Sequence, residues 1–273
     1  DVRVAFGPSS KGLPEEIIRP APASEIGMLR SFGGLKDGEY RVQVGSEEWA
    51  AFIAPGRASM PRELHSDYPS SDVYKALFHA ALIAACPDGN VVDVLVTGLP
   101  TMQAKDKKLV DALTARLKGI HKVAPQREIE VKDVQVVAQP IGSYVDVYTT
   151  HDSGNIFDDS NVLVLDPGYF SVDWVLFNKG DVLRDTCDSS ITAMSVMLEQ
   201  INEAMASALG GQGPGLDKLE TALQKGTGTV AMFGKRIELQ PYIDEVAPKV
   251  ARKALQDLKM QMRHAHDLTI DFL

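Results

Sequence analysis

The chain has 273 residues, enough for one large domain or for two lobes that each bury a core. Hydrophobic residues make up 44% and charged residues 24%, which excludes long disorder, and a formal net charge of −9 without a Lys/Arg cluster argues against direct nucleic-acid binding. Cys86 and Cys187 lack metal-ligand spacing, and the longest apolar run, Ala80–Cys86, falls far short of the roughly 20 residues that cross a bilayer; reduced thiols, no membrane insertion and a cytoplasmic location are expected.

Asp1–Phe6 alternates apolar and polar residues and meets the turn Gly7–Ser10, which predicts a strand entering a sheet. Between Gly33 and Arg62, Gly-bounded segments that include Tyr40–Val44 and Trp49–Ile53 predict a small β-rich insertion. Ser70–Ala85 reads as a capped helix with Val73, Leu77, Ala80, Ala81 and Ala84 inward. The strand Val91–Thr97, the helix Lys105–Leu117, with a solvated start at Lys105–Lys108, and the strand Val131–Ala138 follow.

A second block repeats the theme: a strand from Val162 into Asp166, a tight turn, the strand Val172–Phe177, the turn Asn178–Asp181 and the strand Val182–Arg184. Ile191, Met194, Leu198, Ile201 and Met205 recur at helical spacing and form a core stripe. Gly210–Gly215 is a linker, Pro248 suits the first turn of a last helix running to about His266, and Leu268–Leu273 begins another strand. DVRVAFG at the start is similar to SVDWVLFNKG at Ser171–Gly180, as if one hairpin unit had been duplicated. His264 and His266 point to different sides of a helix and make a poor metal pair.

Asp166–Asp173, DPGYFSVD, carries the clearest chemistry. A D-x-G-x-x-S-x-D loop between apolar strands suits phosphate: Gly168 permits close approach and a positive φ, Ser171 supplies a hydroxyl donor, and Asp166 at the strand end can hold a magnesium hydration shell. The same residues are common in an ordinary hairpin turn. Gln139 follows the strand Val131–Ala138 and can orient a water by hydrogen bonding, or simply cap or face solvent.

Taken in order, SDVYKALFHAALIAACPDGNVVDVLVTGLPTM (Ser71–Met102), VQVVAQPIG (Val134–Gly142), VLVLDPGYFSVDWVLFNKG (Val162–Gly180) and DSSITAMSVM (Asp188–Met197) resemble the bacterial plasmid-segregation actins of the ParM/StbA type. The resemblance implies an α/β, actin-like (ribonuclease H-like) fold of two lobes, each with a larger and a smaller subdomain. The lobes would be 1–155, with a small subdomain at about 33–66, and 156–273, with one at about 210–247. It further implies ATP/ADP and Mg2+ in a cleft, filaments whose turnover is coupled to ATP hydrolysis, and a plasmid-partition adaptor as partner. Carried over, Gln139 positions the hydrolytic water across the cleft from Asp166, which holds the metal; Gly168, Ser171 and Asp173 fall on the second phosphate loop. Arg3 lies where the family's first hairpin has a phosphate-contacting Lys, and Ser189 and Ser190 resemble the start of the following helix, with Thr192 where Gly is usual.

Departures exist as well. Pro167 removes a backbone donor, and Tyr169 and Phe170 are bulky where small residues are common. The family's first D-x-G loop would precede Asp1, and its Gly-rich adenine-side loop would follow Leu273. Two alternatives are a small-molecule kinase on the same fold and a structural homologue that does not hydrolyse nucleotide.

Overall fold

The computed structural model describes residues 2–7, 14–30, 33–59, 67–150, 154–265 and 268–273. The turn expected at Pro8–Ser10, the end of the insertion near Arg62 and the position of His266 fall outside these residues. Contacts divide the chain into two compact units, Asp1–Val96 with Asp111–Gln135, and Thr97–Val110 with Val136–Leu273.

In the first unit, β1 (Val2–Phe6) pairs antiparallel with β2 (Glu15–Arg19). β3 (Ala23–Glu25), β4 (Tyr40–Val44) and β5 (Glu47–Ala51) form a sheet in the order β3-β5-β4. The alternation in β4 turns Val42 and Val44 towards Ala76, Leu77 and Ala80 of α1 (Asp72–Ala85), with Phe52 in the same core. Ser71 caps α1 by accepting the Tyr74 N–H at 3.1 Å.

β6 (Val91–Leu99), α2 (Thr101–Lys105), α3 (Lys107–Leu117), β7 (Gly119–Ala124) and β8 (Arg127–Ala138) come next, the strands ordered β6-β8-β7. The single helix expected over Lys105–Leu117 is two: Asp106 interrupts it, and its carboxylate accepts the Lys108 N–H at 2.8 Å to start α3. Lys105 is more than a solvated charge, since its ammonium donates to the Cys187 carbonyl.

His79 of α1 lies buried in the first unit, with Nδ1 2.7 Å from the Gln43 carbonyl. Its ring meets that of His121 on β7, 5.6 Å away between centroids. Burial holds its imidazole down at about 4, and His121, Lys75 and Arg116 reinforce the shift.

The second unit continues with α4 (Gln139–Thr150), α5 (Gly154–Asp158), β9 (Asn161–Pro167), β10 (Val172–Asn178), β11 (Asp181–Val182) and β12 (Asp188–Ser190). β10 pairs with β9 on one edge and with β11 and β12 on the other. Val175 and Phe177 pack with Ile141, Tyr144 and Tyr148 of α4, whereas Trp174 and Leu176 meet residues around Leu258 on the opposite face. Helices on both faces explain the unbroken apolar run Trp174–Phe177 within β10.

α6 (Met194–Ala208), α7 (Leu216–Gln224), β13 (Thr229–Met232), β14 (Lys235–Glu238) and α8 (Gln240–Gln261) complete the unit. Leu198, Ile201, Met205, Leu219, Val230 and Val250 form their common core.

Two expectations about these helices are corrected. Ile191 is 72% exposed and precedes α6, and Met194 is also exposed, so the buried stripe begins only at Leu198. The strand register of β12 holds the chain extended to Ser190 and delays the helix. Pro248 lies inside α8, whose first turn carries Pro241 instead. Pro248 is exposed, so water can satisfy the carbonyl its missing N–H leaves free. The strand expected at Leu268–Leu273 is reduced to a single parallel bridge, Phe272 with Val162.

Candidate functional site

The β9–β10 hairpin presents Gly168, Tyr169, Phe170 and Ser171 at its tip, closed by Gly168 N–H donating to the Ser171 carbonyl at 2.8 Å. Gly168 is not in the left-handed region, contrary to expectation. A Cβ there would come within 2.9 Å of the Ser171 carbonyl oxygen, so the residue is glycine for space and not for torsion. The bulky Tyr169 packs against the core built on Leu198. The tip also meets the start of α6, where Ser195 N–H donates to the Tyr169 carbonyl at 2.9 Å.

Beneath the tip lies Asp173, 2% exposed. One carboxylate oxygen accepts the Ser171 hydroxyl at 2.5 Å. The other accepts the Thr101 N–H at 2.6 Å and the Ser189 hydroxyl. Ser189 in turn accepts the Met102 N–H at 3.1 Å. A buried carboxylate without a cation is tolerable when several donors converge on it, and here they come from the tip, α2 and β12. The two serines expected at a helix start therefore stand in a strand, and Ser190 donates to Asp257 at 2.7 Å.

Gln139 is the exposed first residue of α4, with Pro140 in the first turn where its missing N–H costs nothing. Gly98 of β6 lies against it: a Cβ at position 98 would sit 2.7 Å from Gln139 Cγ. Two residues beyond Gly98, the chain passes Pro100 and delivers the Thr101 N–H to Asp173. The second unit thus gathers Gln139, Asp166, Gly168, Ser171, Asp173 and Ser190, whereas Arg3 is an exposed residue of β1 in the first.

Asp166 is half-buried in β9, opposite Asp173 in register. Among the described residues no cluster of three or more His, Cys, Asp or Glu is placed to hold a metal. A carboxylate at a strand end suits magnesium, which keeps most of its waters. The Phe170 and Ser171 N–H groups have no hydrogen-bond partner among the described residues, which suits an anion at the tip.

Sequence reasoning passed over Gly98 and Thr101. A glycine near the end of an apolar strand, followed by Pro100, is a local sign of close backbone approach. Nothing local marks Thr101, whose partner is 72 residues away.

No helix among the described residues is long and apolar enough to cross a membrane. No curated protein matches the chain. Among solved structures, the archaeal actin homologue Ta0583 in complex with ADP is similar at TM-score 0.69 and 15% identity, over 95% of this chain and 80% of that one. The actin-like protein Alp7A gives 0.67 at 16% identity, over 96% and 78%. A ParM filament of 15 strands from Clostridium botulinum gives 0.67 at 16%, over 91% and 78%. These likenesses identify the α/β fold as actin-like. The family model for the N-terminal domain of actin-like proteins matches residues 2–142, and the chain belongs to that family.

Proposed function

We propose that this chain is an actin-like ATPase that binds ATP/ADP with Mg2+ and polymerises for plasmid segregation. The observation that carries the reading is the Asp173 network, which holds the hairpin tip in shape while leaving the Phe170 and Ser171 N–H groups available. The ADP complex of Ta0583 and the ParM filament support the nucleotide and the self-assembly. An adaptor protein and a cytoplasmic location belong to the same reading.

In this site Gln139 would hydrogen-bond the attacking water and Asp166 would be the residue that holds magnesium. Magnesium, when bound, neutralises phosphate charge. Phe170 and Ser171 N–H donate to phosphate, and Gly168, Asp173 and Ser190 maintain the shape of the loop. A second reading, a structural homologue that does not hydrolyse nucleotide, is favoured by one observation. Pro167 has no N–H and the Gly168 N–H is spent on Ser171, so the loop offers fewer donors than its length suggests.

The test is phosphate release and pelleting with ATP and magnesium, measured side by side. Gln139→Ala is expected to assemble but to release phosphate on the order of ten to a thousand times more slowly. Asp166→Ala is expected to lose magnesium-dependent nucleotide binding and, with it, assembly. Parental protein that pellets without releasing phosphate establishes the second reading, and parental hydrolysis by Gln139→Ala returns Gln139 to a structural role.

A further inference from the structure

Among the described residues, three that are not glycine have positive φ: Phe52, Lys179 and Phe233. For a bulky side chain this is a genuine outlier, and each case asks what offsets it. Phe52, φ 62°, is buried in the first unit and packs edge-on against Tyr40 at 5.7 Å. Lys179, φ 51°, precedes Gly180 in the two-residue turn between β10 and β11, where a polar side chain stands in water.

Phe233 has neither compensation. With φ 48° it precedes Gly234, φ 73°, in the two-residue turn of the β13–β14 hairpin. Both central residues are left-handed, the type I′ pattern that favours Asn-Gly. The ring is 66% exposed, while its neighbours Val230 and Met232 fill the core beneath. An Asn here would relieve the backbone and remove an apolar side chain from water. The sequence instead keeps a phenyl at the tip, next to Lys235 and Arg236, which form no ion pair among the described residues.

From this turn we infer that the β13–β14 tip is a contact surface for a second copy of this chain, with Phe233 as its apolar anchor. Charge argues for that occupant: the tip is apolar and cationic, whereas the chain as a whole carries a formal −9. An exposed aromatic flanked by a free Arg is also the composition of an interface anchor. The inference rests on the self-assembly proposed above and names the surface that makes it.

The experiment compares parental protein, Phe233→Asn and Phe233→Tyr by pelleting with ATP and magnesium and by thermal unfolding. Phe233→Asn is expected to raise the critical concentration by at least about tenfold while its melting temperature stays level or rises. Phe233→Tyr keeps the ring and is expected to assemble like the parent. If the parent itself does not assemble, the proposed function fails and this surface fails with it. If the parent and Phe233→Asn assemble alike, the function stands and the tip is not the contact. A fall in the melting temperature of Phe233→Asn overturns the inference from the other side, because the ring would then serve the fold.

Discussion

Replacing Asp173 by alanine would strip an ionised acceptor from three donors at once: the Thr101 N–H, the Ser171 hydroxyl and the Ser189 hydroxyl. Each hydrogen bond to a charged group is worth roughly 1.5–3 kcal/mol net, but the two hydroxyls can re-aim whereas the Thr101 N–H is fixed by α2, so the expected loss is about 3–5 kcal/mol. Asparagine is a sharper probe. Its oxygen can still receive Thr101 and Ser189, and its amide N–H can donate to Ser171 Oγ, reversing one bond at a cost of about 1–2 kcal/mol. The assay is urea unfolding followed by the fluorescence of Trp174, which is buried next to Asp173, in a Trp49→Phe background that removes the other indole. An alanine variant within about 1 kcal/mol of the parent, or an asparagine variant as unstable as the alanine one, would refute the network as the support of the tip.

Gly98→Ala is expected to displace the Gln139 side chain, since the new methyl would sit 2.7 Å from Gln139 Cγ; phosphate release should then slow as in Gln139→Ala with nucleotide binding kept, which filter binding and a phosphate assay together would show. His79 gives a pH dependence of defined sign. Its folded value of about 4 lies below 6.5, so the unfolded chain binds the extra proton, and stability falls as pH drops from 6.5 towards 4, by about 3 kcal/mol in all. Urea midpoints at pH 7 and pH 5 should converge in His79→Phe, and an unchanged difference would assign the dependence to other groups.

Elements with a single dominant period were legible from sequence. β6, β8, β9 and β10 fall where apolar runs or alternation placed them, and α1 starts at its predicted serine cap. The errors arose where a local signal had two physical causes. Gly168 was expected to adopt positive φ, but its glycine relieves a clash with the Ser171 carbonyl. Ile191 fitted the helical period of α6, yet β12 holds the chain extended just before it. Pro248 reads as a helix start because proline disfavours helix interiors, yet an exposed helix face lets water take the freed carbonyl, and exposure is not written locally. The site was half legible. The tip and Gln139 stood out by residue type, whereas the bond from Thr101 to Asp173 spans 72 positions and belongs to the tertiary fold.

The bridge between Val162 and Phe272 bears on how the protein is made. Asn161, at the head of β9, receives Asp271 N–H at 2.9 Å and donates its own N–H to the Asp271 carboxylate at 2.8 Å. Its side chain reaches the Thr269 carbonyl and accepts from Asn178. Asn161 and Asp271 are 110 positions apart, and a ribosome adding about 5–20 residues per second needs roughly 5–20 s to cover that distance. Throughout that interval β9 has emerged and can pair with β10, but its other edge waits with unmet N–H and C=O groups. That nascent edge is where a stalled or overcrowded chain would pair wrongly, and where a cotranslational chaperone would have its longest opportunity to bind.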